Sequence, residues 1–237
     1  MIIAVKNHSR LPDRDVHDVI RAINRQIAED FEPYWDLGGT LRLAGSSKGP
    51  LQADGIIRLY EHGRAYHWGP TGIPEAHVFT TQTEQARLAI PWFPWTVALS
   101  HEALELIADP QLNTLVQGPH PERKRMVFHY REVCDPVQAD NYQVDGVTLS
   151  NFVLPHYFNS HGESGGYNDF LGAGVQAFRW NENGLIGFWD PRKGATGGYV
   201  SWPSYTGKHP VARLRRIKGA SGRHHRYSHP SVSGSAR

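Results

Sequence analysis

SHEALELIADP, residues 100–110, is the stretch on which the reading of this chain turns. With about 100° of rotation per residue, Glu105, Asp109 and Glu102 fall within roughly 100° of His101 on a helical wheel. Val97, Leu99, Ala103, Leu104, Leu106 and Ile107 occupy the rest. The spacing predicts a helix from about Thr96 to Ala108, stopped at Asp109-Pro110 because proline disfavours helical backbone before it. Two readings compete. One is a surface helix with a solvated acidic stripe. The other is a site. Glu105 and Asp109 are like charges four residues apart, and Asp109 lies at the negative end of the helix dipole. A cation would relieve both. The width of the apolar arc also predicts a helix buried on most sides.

The chemistry sharpens the second reading. A histidine and a donor four residues later project from one helix face and can share a metal ion. A glutamate directly after the first ligand stands where it can take a proton from water at the metal. Those roles fall to His101, Glu105 and Glu102. Glu105 replaces the more usual second histidine, and a carboxylate is also a zinc ligand. A third ligand must come from elsewhere. Asp109 stands about 12 Å of helical rise from His101 and joins only if the chain turns back there. HYREVCDPV, residues 129–137, offers His129, Glu132 and Asp135. Glu132 is the first choice, since a glutamate on a following helix commonly completes a three-ligand site. Asp135 then orients a ligand imidazole, or simply ends a helix in an Asp-Pro turn.

Outward from this helix the chain is well punctuated. MIIAV at the start reads as a strand or an ordered arm. In LPDRDVHDVIRAINRQIAEDF, Val16, Ile20, Ile23 and Ile27 recur at helical spacing, with Pro33 and Gly38-Gly39 marking the exit. TLRLAG, GIIRLYEHG and EAHVFTTQT are three extended segments, the last entered through the turn-forming GPTGIP. PWFPW separates them from the acid-bearing helix. RKRMVFHYREVCD reads as a second, shorter helix or an extended run. DNYQVDGVTLSNFVLP reads as a hairpin turning at Asp145-Gly146. Residues 160–207, rich in glycine and aromatics, read as loops and short strands. This order predicts an α+β domain over residues 1–207.

The chain carries 25 Lys and Arg against 23 Asp and Glu, but unevenly. Eight of the bases, from Lys208 to Arg237, stand in a stretch without an acid, leaving 17 bases against all 23 acids before it. Residues 208–237 are poor in apolar groups and read as a disordered tail, suited to an acidic surface or to nucleic acid, or serving only solubility. Cys134 is the sole cysteine, which excludes an intrachain disulfide and a four-cysteine zinc site. It has no paired helix N-terminus, so a catalytic thiol is not expected. No run approaches the ~20 apolar residues of a membrane span, and the start lacks a signal-peptide pattern. A cytoplasmic protein is expected, with no membrane partner. His67 and His77 lie in strand-like segments and read as packed, hydrogen-bonded side chains. His224, His225 and His229 belong to the tail.

VALSHEALELIADP, the upstream GPTGIPEAHVF and the downstream EVCDPVQADNYQVDGVTLSNFVLPHYF together resemble a group of bacterial and phage zincin-like proteins with HExxE in place of HExxH. The order of elements over residues 1–160 resembles the minimal zincin metallopeptidase architecture. The resemblance implies a mixed sheet packed on an N-terminal helix and the HExxE helix, with a β- and loop-rich part from about residue 160. It implies that His101 and Glu105 are metal ligands, with Glu132 as the third, and that Glu102 is the general base. It implies a peptide or protein substrate laid along an edge strand at Glu75–Thr80. It also allows Tyr157 to stabilise an oxyanion, against the simpler reading of a core aromatic. The expected activity is a zinc-dependent (or other divalent) hydrolase, with peptidase as the expected class. Glu105 in place of histidine adds negative charge and lowers the metal's Lewis acidity. The competing expectation is a non-catalytic virion or assembly component on the same scaffold.

Overall fold

The computed structural model describes residues 1–45, 52–63, 66–68, 72–82, 94–159, 167–196, 198–205 and 210–216. The first half is a five-stranded sheet built from β1 (Ile2–Asn7), β2 (Thr40–Leu43), β3 (Gly55–Gly63), β4 (Tyr66–Trp68) and β5 (Glu75–Gln82), in the order β2-β1-β3-β5-β4. β1 runs parallel to β2 and β3, and β3 parallel to β5, while β4 is antiparallel to β5. Parallel neighbours need a crossover, and α1 (Asp13–Arg25) provides it between β1 and β2. Strand alternation puts Ile3, Val5, Leu41, Ile57, Leu59, Ala76 and Val78 into one core with Val16, Ile20 and Ile23 of α1. The acid-bearing helix α3 (Trp95–Ala108) adds Leu99, Ala103 and Leu106 to the same core. The architecture is mixed α/β: a largely parallel half and an antiparallel half.

The antiparallel half contains β6 (Leu115–Pro119), β7 (Met126–Tyr130), β10 (Ile186–Trp189), β11 (Gly198–Tyr205) and β12 (Pro210–Arg216), in the order β12-β11-β10-β7-β6. A separate hairpin pairs β8 (Asn141–Val144) with β9 (Val147–Ser150). It turns at Asp145 (φ 50°) and Gly146 (φ 79°), the two left-handed positions that an Asp-Gly hairpin turn supplies. α3 is fastened to β9: Thr96 Oγ1 donates to the Thr148 carbonyl at 2.7 Å, and the Ser150 amide donates to Ser100 Oγ at 2.7 Å.

Several expectations need correction. The N-terminal helix does not leave at Pro33. It widens into π-helical turns over Gln26–Phe31 and continues as α2 (Glu32–Trp35), with Pro33 in the first turn of that last segment. The exit is Asp36, in left-handed conformation. The segment around Met126–Tyr130 takes the extended alternative, as β7: Val127 and His129 alternate inward, and the strand pairs with β10 in the same sheet. The strand before α3 is not an edge at its start: Glu75–His77 pair with β3 on one side and with β4 on the other. The antiparallel edge is β4, a pairing direction that local pattern does not encode. The expected disorder from residue 208 does not hold for Pro210–Arg216, which pairs with β11 residue for residue. Residues 83–93, which include most of PWFPW, and 217–237, which include the three tail histidines, lie outside the described residues.

Candidate metal centre

Among the described residues α3 is the most buried of the helices, and its acids are buried with it. Glu102 is 3% exposed, Glu105 0% and Asp109 1%, so the stripe is not a solvated one. Buried charge persists only where it is paired or bound to a metal. The helix therefore delivers its carboxylates to something inside the fold.

Glu105 meets the turn 134–137, which is held from two sides. On one side Glu105 Oε1 accepts from the amides of Cys134 and Asp135, at 3.3 and 3.4 Å. On the other, the Leu185 amide donates to the Asp135 carbonyl at 3.0 Å and the Asn181 amide to the Pro136 carbonyl at 2.9 Å. Gly184 approaches the Pro136 carbonyl so closely that a Cβ there would collide with it. The Asp135 side chain is thereby aimed at α3. His101 Nε2 lies 3.4 Å from Glu105 Oε2 and 3.5 Å from Asp135 Oδ1. His101, Glu105 and Asp135 each offer one ligand atom, all within 4.8 Å of one another, and this group could hold a metal ion. One imidazole nitrogen and two carboxylate oxygens are donors that zinc and other first-row divalent ions accept.

The electrostatics are those of crowded acids. Burial, then Glu132 and Asp135, push the Glu105 carboxyl up to about 8, against the opposing pull of His101. Burial foremost also holds Glu102 well above the usual carboxylate range, with Glu105, Asp135 and Glu132 adding to it and His101 opposing. Burial alone would depress His101, but the Glu105 and Asp135 carboxylates outweigh it and hold the imidazole well above its ordinary value. In the metal-free state the cluster retains protons that a divalent cation would displace.

The other sequence candidates separate clearly. Glu132, the first choice for third ligand, follows β7 in a loop rather than on a helix. It is buried beside Glu105 and Glu102 and acts on both electrostatically, but the three-ligand group contains Asp135. Asp109 serves the helix end. Its carboxylate accepts from the amides of Asn113 and Thr114, at 3.2 and 3.1 Å, and from Thr114 Oγ1 at 3.0 Å. Those donors offset its unfavourable place on the dipole. The Tyr157 hydroxyl donates to the Arg179 carbonyl at 2.6 Å, and its ring packs among Phe158 and Phe178, the pattern of a core aromatic. His129 is not in the group: Nε2 donates to the Pro119 carbonyl at 2.9 Å, and burial pushes it down to about 4. His77 is packed as expected, bonded to Glu75 at 2.6 Å and set against the Tyr60 ring. Burial keeps the Cys134 thiol well above its ordinary value, which leaves it protonated.

The signal for Asp135 was present in the sequence as Asp-Pro. It reads equally as a turn, and here it is both: Asp135 opens a 3-10 turn, Asp135–Val137, and turns its carboxylate inward. No protein-family model, curated protein or solved structure matches the chain.

Proposed function

We propose that the chain is a zinc-dependent hydrolase acting on peptides, with His101, Glu105 and Asp135 as the metal-binding residues. The observation that carries this reading is the burial of Glu102 and Glu105 on an apolar helix, against a turn that supplies Asp135. A divalent ion there would supply Lewis-acid polarisation of a carbonyl. Glu105 would hold its place through the backbone amides of residues 134 and 135. Glu102 is the proton carrier: a buried carboxyl whose affinity for protons is raised can take one from water and return it to a leaving amine. The antiparallel edge β4 is the strand along which an extended peptide would pair. Sequence resemblance to HExxE zincin-like proteins implies the same roles for His101, Glu105 and Glu102, but Glu132 in the place this proposal gives to Asp135.

The test is zinc-dependent cleavage of a quenched fluorescent peptide mixture. Glu102→Gln lowers the rate by about 10²–10⁴-fold while zinc content stays at the wild-type level. Undiminished cleavage by that variant contradicts the role of Glu102. One observation favours a second reading. Only His101 of the three binding residues reaches solvent, at 12% side-chain exposure, which suits a metal that braces the fold. Zinc uptake that raises Tm with no cleavage by the wild-type chain selects that alternative.

A further inference from the structure

The two faces of the antiparallel sheet differ. On one, Val127, His129 and Phe188 are buried. On the other, Phe128 and Trp189 are cross-strand partners and only half-buried, with their rings 5.9 Å apart. Strand alternation adds Met126 and Leu115 to this second face, 44% and 40% exposed. The Trp189 ring is fixed in place, since its Nε1 donates to the Gly194 carbonyl at 2.9 Å. The register continues the face through Gly187 and Val200 to Arg215, with Arg213 two positions along β12. None of the five strands contains an Asp or Glu. At the end of the sheet where Phe128 and Trp189 lie, the turns 120–125 and 190–194 are joined by the ion pair of Arg125 with Asp190 at 2.5 Å. With those two neutralising each other, the turns carry Arg123, Lys124, Arg192 and Lys193, all exposed, against the single acid Glu122.

We propose that this face binds single-stranded nucleic acid, with bases laid on Phe128 and Trp189 and phosphates drawn to the two basic turns. The inference goes beyond the hydrolase reading and does not depend on it. Its first support is charge. Residues 115–130 and 186–216 carry 9 of the 25 bases but only 2 of the 23 acids, so this sheet is a basic surface on an otherwise acidic body, suited to a polyanion. The second is the pair of rings. Aromatic side chains on a sheet stack the exposed faces of unpaired bases, which a duplex keeps inside its own stack. An acidic protein surface would answer the charge alone. Flat rings beside cationic turns favour a ligand in which charge and flat apolar faces alternate at short spacing, and a single strand is such a ligand. The third is size. Five strands span about 19 Å, comparable to the four-stranded sheets on which two or three bases stack. The contact is thereby assigned to the sheet rather than to the basic run that follows it.

The test is fluorescence anisotropy of the full chain with four labelled probes. These are a thymidylate oligomer, a uridylate oligomer of the same length, a duplex of that length and a polyglutamate peptide. At least one single strand should bind about tenfold or more tightly than the duplex and the peptide, and the two single-stranded arms separate DNA from RNA. Phe128→Leu keeps an apolar side chain but removes the ring, and should weaken that binding about tenfold. Arg123→Gln combined with Lys124→Gln should flatten the slope of log affinity against log salt by about 1.4, roughly 0.7 for each lost phosphate contact. In NMR spectra the Trp189 indole signal and the amide signals of Phe128 and Gln117 should shift with the strand. Equal binding of the duplex or of polyglutamate, wild-type affinity in Phe128→Leu, or an unchanged salt slope in the turn variant each overturns the proposal. Shifts confined to residues 217–237 overturn it as well, by assigning the contact to the tail. The wild-type preference and shift map decide the matter even where Phe128→Leu does not fold.

Discussion

α1 and α3 are nearly equal in length, 13 and 14 residues, yet they handle charge in opposite ways. α1 has one apolar face, with Val16, Ile20 and Ile23 inside, and its charged residues outside in solvent-exposed pairs such as Arg21–Asp18 at 3.4 Å. α3 has no basic residue in its last turn and buries Leu99, Leu104, Leu106 and its glutamates alike. Exposed charges on α1 cost nothing and contribute little. Buried charges on α3 are expensive unless something in the fold requires them. The difference teaches where to look for function. The chain holds an ordinary helix to build its core, and a second helix that accepts an electrostatic penalty at one place.

The largest expected effect tests the ordinary helix. Ile23→Ala empties a fully buried position and should cost about 2–5 kcal/mol in denaturant unfolding. Arg21→Ala on the opposite face should cost at most about 1 kcal/mol. Similar costs for the two would mean that α1 is not amphipathic in the way described.

Two buried histidines sharpen the contrast in a second way. Carboxylates hold His101 above its ordinary value against the effect of burial, whereas His129 bonds a carbonyl, and burial drives it down to about 4. A group depressed on folding binds fewer protons in the native state than in the unfolded chain. Stability is therefore complete above pH ~6.5 and falls as pH drops from there to about 4, by roughly 3 kcal/mol from this group. His129→Gln should flatten that limb of the pH–stability curve. An unchanged slope would remove His129 as its source.

The smallest stability effect probes the penalty on α3. Glu105→Gln in metal-free protein removes one of the crowded acids while keeping an oxygen for the amides of residues 134 and 135. It should raise stability at neutral pH by about 1 kcal/mol, as substitutions at functional sites often do. A loss of comparable size would mean that the cluster is stabilising without metal.

What was legible in the sequence follows the same division. β2, β3 and β5 stood out because glycines or β-branched alternation bound them, and Asp145-Gly146 announced its own hairpin. The arc of α3 was legible because helical period is local. The choice between Glu132 and Asp135 was not. It depends on whether Met126–Tyr130 is strand or helix, and on the clamp that residues 181–185 place on the turn at Pro136. Both are long-range contacts with no periodic signature. The edge assignment failed for a related reason: EAHVFT reads as a strand, but nothing in it says that Glu75–His77 is covered by β4.

Calorimetric titration of metal-stripped protein with zinc tests the central claim most directly. The account predicts one zinc per chain, bound with release of protons, and a fall in affinity of about 100-fold or more in His101→Ala and in Asp135→Asn. The absence of stoichiometric binding, or wild-type affinity in Asp135→Asn, would contradict it.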